Sequence, residues 1–202
     1  MNFISYFPYL LVLIGASARL LPHAPNFTPI AALAMLGAVY LKKRDAFWVP
    51  LMAMLLSDVV IGFYHPLVMA SVYGSFLLSG LLGIWLRKQR EVTISPPYEG
   101  GVRGGLKYLR GWWPRVIGAS LLSSTLFFFI TNWAVWAFGE LYVKDLSGLT
   151  VSYWMGLPFF RNTLLGDLFY VGVFFGIAEL VPYFIQLRDR KRLAVPVAEI
   201  RE

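Results

Sequence analysis

Six runs with almost no charge, at about Phe3 to Ala18, Pro29 to Leu41, Ala46 to Gly62, Pro66 to Leu86, Val116 to Phe138 and Leu168 to Leu187, alternate with short polar connections. Most of them are close to or above the roughly 20 residues that a helix needs to cross about 30 Å of hydrocarbon, whereas the second is short and needs cover from its neighbours. Backbone groups in lipid must be satisfied within the segment, which the helix does. The reading is therefore an all-α, polytopic membrane protein with six transmembrane helices. They form a single six-helix domain over residues 1–187, followed by a basic tail over 188–202. Composition agrees, since 58% of the chain is apolar and only 14% is charged.

The basic residues set the orientation. All but Arg19, Lys144 and Arg161 of the 18 Lys and Arg fall in Lys42 to Arg44, Arg87 to Arg115 and Arg188 to Arg201. Six spans with both termini cytoplasmic place all three clusters inside, as the positive-inside rule expects. The net charge of +7 is thus divided among juxtamembrane loops that face anionic lipid, and no basic domain is left to hold nucleic acid. The chain has no cysteine, which excludes disulfides, thiolate nucleophiles and iron–sulfur clusters.

Between the first two runs lies Arg19-Leu20-Leu21-Pro22-His23-Ala24-Pro25-Asn26-Phe27-Thr28-Pro29, a cation, an imidazole and an amide among three prolines. Proline forbids a continuous helix, and irregular backbone at membrane depth is tolerated only inside protein or along a wet cavity. The stretch is a candidate ligand-binding element. In the second run, Ala34 and Ala38 belong to a small-residue stripe that lets another helix approach closely. The stripe serves either this chain's own packing or docking onto a separate subunit.

Further polar groups sit near the outer ends of the remaining runs. Asp58 follows Ser57 close to the end of the third, and Asp58 and His65 share a face if that helix continues. The loop from Arg87 to Arg115 carries Pro96-Pro97, Gly100-Gly101 and Gly104-Gly105, and reads as a flexible cytoplasmic linker without nucleotide-loop context. In the fifth run Phe129, Asn132, Trp133 and Trp136 are spaced for one helical face. Residues 139–162 read as an outer, partly interfacial segment interrupted at Gly148, Gly156 and Pro158. Arg161-Asn162-Thr163 and Gly166-Asp167 then open the sixth span. At 1.5 Å per residue, Asp58, Asn132 and Asp167 fall within about 6 to 10 Å of the outer boundary. The expectation is an outward pocket lined by Arg19, His23, Asn26, Asp58, Asn132, Trp136, Asn162 and Asp167. Its structural rival is a polar plug in which Arg19 pairs with an aspartate and binds nothing.

The blocks Pro22-His23-Ala24-Pro25-Asn26-Phe27-Thr28-Pro29-Ile30, Ser57-Asp58, Thr131-Asn132 and Pro158-Phe159-Phe160 through Gly166-Asp167-Leu168 resemble the signatures of an uncharacterised bacterial family of membrane transport proteins. That family is similar to the substrate-binding S components of energy-coupling factor transporters. The resemblance implies capture of a small solute such as a vitamin. It also implies a transmembrane coupling subunit with two ATPases, a docking role for Ala34 and Ala38, and a place in the bacterial inner membrane. From the residues themselves, capture of a small polar or anionic solute competes with an intramembrane enzyme using His23 or His65 with Asp58 or Asp167, and with a non-catalytic assembly protein. No nucleophile, zinc or cofactor motif occurs, so we expect no enzyme, no cofactor and no metal ligands.

Overall fold

The computed structural model describes residues 7–41, 43–93 and 101–193, with side chains at 8–41, 45–90 and 110–180. Six helices occupy them: α1 Phe7–Leu20, α2 Ile30–Tyr40, α3 Lys43–Ile61, α4 Pro66–Thr93, α5 Gly101–Phe138 and α6 Leu146–Leu193. Three are long and apolar enough to cross a membrane, over Pro66–Arg90, Arg110–Phe138 and Leu146–Leu180. The others are shorter or carry charge, as α3 does with Asp45 and Asp58.

α2 is the axis of the fold. It is apolar all round, which suits a helix with no solvated face, and every residue from Ile30 to Val39 is buried. It packs against all five other helices, while α1 rests on α3 and α2 and, among the described residues, has no contact with α4, α5 or α6. Ala34 and Ala38 are 0% and 1% exposed. Gly83 of α4 lies so close that a Cβ there would come within 2.6 Å of both the Ala38 Cβ and the Met35 carbonyl. Ala38 is thus packed against α4, and both Ala34 and Ala38, expected as a docking stripe, are buried within this chain.

α5 and α6 run antiparallel along most of their length. Trp112 meets Phe175 at 6.5 Å, Phe128 meets Phe160 at 4.6 Å and Phe129 meets Tyr153 at 5.5 Å between ring centroids. α4 pairs with α5 in the same manner through Phe76–Phe127 and a 2.7 Å hydrogen bond between the Ser79 and Ser123 hydroxyls. Two expectations change. Residues 146–162 are continuous helix, the first turns of α6, and are not interrupted at Gly148, Gly156 and Pro158, so the apolar stretch of that helix begins at Leu146. Gly156 misleads because it is a close-approach site, not a break: a Cβ there would collide with the Asn132 amide. The loop from Arg87 to Arg115 likewise shrinks, since α4 runs to Thr93 and α5 starts at Gly101. Residues 94–100 of that loop, and most of the basic tail, lie outside the described residues.

The turn between α5 and α6 is tied at both ends. Lys144 donates to the Trp136 and Gly139 carbonyls, where a cation suits a helix C-terminus. Asp145 caps α6, its Oδ1 accepting from the Gly148 N–H at 2.7 Å and from the Ser147 hydroxyl at 2.7 Å. The Gly148 amide first, and the Ser147 hydroxyl second, hold its carboxyl below the ordinary 3.8. A lowered folded pKa gives stability that is present above the unfolded value and disappears as pH falls through the folded one. Hydrogen exchange at Gly148 and Leu149 should therefore accelerate below about pH 4, and Asp145→Asn, which keeps a cap but no carboxyl, should remove that acceleration. An unchanged profile in the variant would assign it to another group.

Candidate functional site

The chain between α1 and α2 is held open by its prolines and by one left-handed residue. Asn26 has φ of 64°, a conformation that asparagine tolerates better than most side chains, and short turns close from Phe27 N–H to the Ala24 carbonyl and Thr28 N–H to the Asn26 carbonyl. Phe27 anchors the segment against α6. Its ring lies 5.8 and 5.5 Å from Phe169 and Tyr170, and a Cβ on Gly166 would be 3.0 Å from its Cα. The segment thus lies level with Asp167, and α2 starts there as a half-length helix.

A cavity of about 260 Å³ opens beside this segment, lined by Arg19, His23, Asn26, Thr28, Ala31, Met54, Ile61, Tyr64, Val72, Phe76, Phe127, Thr163 and Asp167. Its size is just under the ~300–1,000 Å³ of many small-molecule sites, and its mix of apolar wall and few polar groups is theirs. All six described helices contribute to it; Thr163 and Asp167, four residues apart, present one face of α6.

Arg19, at the end of α1, reaches α3. Its Nη1 donates to the Ser57 hydroxyl and to the Met54 carbonyl, and lies 2.8 Å from Asp58 Oδ1. The Arg19 side chain is 15% exposed and that of Asp58 1%. Tyr73 of α4 donates to the other Asp58 oxygen at 2.8 Å. Asp58 therefore stands behind the cavity wall as the counterion that fixes Arg19. Tyr64, in the α3–α4 connection, has its phenol pushed above the ordinary value by burial and next by the Asp58 carboxylate, so it stays a neutral donor. His23 places Nδ1 2.5 Å from the Leu21 carbonyl. A carbonyl only accepts, so Nδ1 carries the proton and Nε2 is the free nitrogen.

Asp167 has a different setting. It is 3% exposed, its Oδ2 accepts from the Ser124 hydroxyl at 2.6 Å, and among the described residues it has no ion-pair partner. Ser124 precedes Asn132 by eight residues, so Asp167 sits about 12 Å further along α5 than Asn132, not in the same layer.

Of the eight residues expected to bind substrate, the structure gathers Arg19, His23, Asn26 and Asp167 on the cavity and puts Asp58 directly behind it. It does not bring Asn132, Trp136 and Asn162 there. The Asn132 amide donates back to the Phe128 carbonyl and abuts Gly156. Trp136 Nε1 donates to the Val143 carbonyl and serves the turn. Helical spacing rightly placed Asn132 and Trp136 on neighbouring turns, but their face of α5 is directed at α6 and the connection that precedes it. The Asp58–His65 face also fails to form, because α3 ends at Ile61 and Gly62 turns the chain with φ of 108°.

At the C-terminal end of α2, Tyr40 donates to Glu179, whose carboxylate also takes Arg90 Nε at 3.3 Å, and the Arg90 guanidinium lies 4.7 Å from the Tyr40 ring centre. That cluster fastens α2 to α4 and α6. Among the described residues no group of three or more His, Cys, Asp and Glu is arranged to hold a metal ion. A model of a family of unknown function, DUF6580, matches residues 2–190. No curated protein and no solved structure matches the chain.

Proposed function

We propose a transport function for this chain, which belongs to the family of unknown function DUF6580. It acts as a substrate-capture subunit, an S-component-like protein that takes a small solute from the outer side into the cavity beside α2. Six spans, cytoplasmic termini and residence in the bacterial inner membrane are part of the same proposal. The observation that carries it is the union of irregular proline-rich backbone, a half-length helix start and an unpaired buried carboxylate around one cavity. Broken helices that end at a polar site in mid-membrane are how transporters hold solutes. Energy comes from a partner module with ATPases. With Ala34 and Ala38 buried, such a partner uses other surface.

The rival reading, a polar plug, draws support from the Arg19–Asp58–Tyr73 cluster, which is complete without a ligand. It gives no role to Asp167. A thermal-unfolding screen of the purified chain against small solutes of both charges separates the two, because a ligand of the folded state raises its stability. The capture reading expects a concentration-dependent rise that Asp167→Asn abolishes. No rise with any solute would leave the plug.

The orientation is tested by single cysteines in this cysteine-free chain. Leu141→Cys, at a position 74% exposed in the α5–α6 turn, should react with an impermeant thiol reagent in intact cells. Ser95→Cys should react only after lysis. The opposite pattern would invert the topology and close the cavity to the outside.

A further inference from the structure

We infer that the cavity takes a monocation with a flat apolar body, its cationic group against Asp167 and its body along the Phe76–Phe127 wall. This rests on the capture reading and names its substrate class, where the sequence alone pointed to a polar or anionic solute. Charge balance carries the argument. Arg19 is the cation that suggested an anionic ligand, but its guanidinium already faces Asp58 at 2.8 Å, and the second Asp58 oxygen takes the Tyr73 hydroxyl. That group is closed and neutral. Asp167 remains, buried to 3% exposure, with a single hydroxyl partner and no cation among the described residues.

Two other features bear on its charge. The start of α2 has no side-chain cap and contributes Ala31 to the same cavity, but a helix N-terminus amounts to about half a positive charge and leaves the carboxylate undercompensated. His23 is exposed and engaged through Nδ1 with the Leu21 carbonyl. A buried carboxylate with so little compensation is costly, and a bound ammonium or similar group supplies what is missing. An anion would instead set like charges together where water screens them poorly. The wall agrees with the sign. The Phe76 and Phe127 rings stand 5.2 Å apart, inclined by 36°, and aromatic faces attract cations. Met54, Val72 and Ile61 complete an apolar lining for the body of the solute.

The test measures binding of three probes of matched size to the purified full chain in detergent: 2-phenylethylammonium, 2-phenylethanol and 3-phenylpropionate. The ammonium should bind roughly 10- to 100-fold more tightly than the alcohol, the range of a charge-assisted hydrogen bond, and the carboxylate more weakly than either. Asp167→Asn should erase the ammonium preference while the alcohol still binds. Ser124→Ala, which removes only the hydroxyl that orients Asp167, should reduce the preference in a chain that keeps its carboxylate, so a misfolded Asp167→Asn does not end the test. Preference for the carboxylate, or an ammonium preference that survives both variants, overturns the cationic class but leaves a ligand cavity. Binding of none of the three overturns the capture reading together with it.

Discussion

Asp58→Ala should lower stability by about 3 to 5 kcal/mol, the range seen when one partner of a buried ion pair is removed. The loss comes from stranding Arg19, whose side chain is only 15% exposed and whose other partners are the Ser57 hydroxyl and the Met54 carbonyl, neither of them charged. Tyr73 would lose its acceptor as well. Adding Arg19→Leu should restore most of the loss, because replacing both charges by apolar groups removes the desolvation penalty along with the attraction. Asp167→Asn should behave oppositely: removing a buried carboxylate that has no counterion costs little or stabilises, and any harm appears in ligand binding. Equilibrium unfolding in detergent reads all four chains. Equal destabilisation by Asp58→Ala and Asp167→Asn would mean that both aspartates are structural.

Gly83→Leu should prevent folding, and Gly83→Ala should cost about 1 to 3 kcal/mol or more. A Cβ at this position would lie 2.6 Å from the Met35 carbonyl and 2.8 Å from the Met35 Cα. Those are backbone atoms of α2, which is packed on all sides, so no rotamer change relieves the overlap. Gly118→Ala is the control. It has open space within 4 Å and should gain up to about 1 kcal/mol from helix propensity. Expression and monodispersity of the three variants, followed by unfolding, distinguish them. A well-folded Gly83→Leu would mean that α2 is not the clamped axis described here.

These two predictions concern features of unequal legibility. The apolar runs announced the helices, and the prolines between Arg19 and Pro29 announced irregular backbone. Both are local statements about hydrogen bonding that any environment must respect. Asp58 could be recognised as needing a partner because a carboxylate in an apolar run is costly alone. That the partner is Arg19, with Tyr73 as the third member, depends on α1, α3 and α4 meeting, which spacing within one helix does not reveal. Asn132 lies away from the cavity, which its spacing does not show, because helical periodicity defines a face without saying what it faces. Gly156 and Pro158 read as breaks in the sequence, whereas α6 continues through them, since tertiary packing against α5 outweighs the propensity cost of one or two residues. Phe76 and Phe127, two of 16 phenylalanines, carried no signal of their own. The common layer expected for Asp167 and Asn132 rests on starting the sixth span near Leu168; α6 starts at Leu146, and Asp167 pairs with Ser124, about 12 Å along α5 from Asn132.

On the capture reading, water and solute reach the face of α6 that bears Asp167. Thr163→Cys puts a thiol on that face, one turn before Asp167 and on the cavity wall. Ser123→Cys puts one in the α4–α5 interface, where the native hydroxyl meets Ser79 away from the lining of that cavity. In sealed vesicles holding the full chain, small methanethiosulfonate reagents added from the outer side should modify Thr163→Cys, the cationic reagent faster than the anionic one, and leave Ser123→Cys unmodified over the same interval. A Thr163→Cys chain as inert as Ser123→Cys would contradict the account and leave the polar groups around α2 as a closed structural plug.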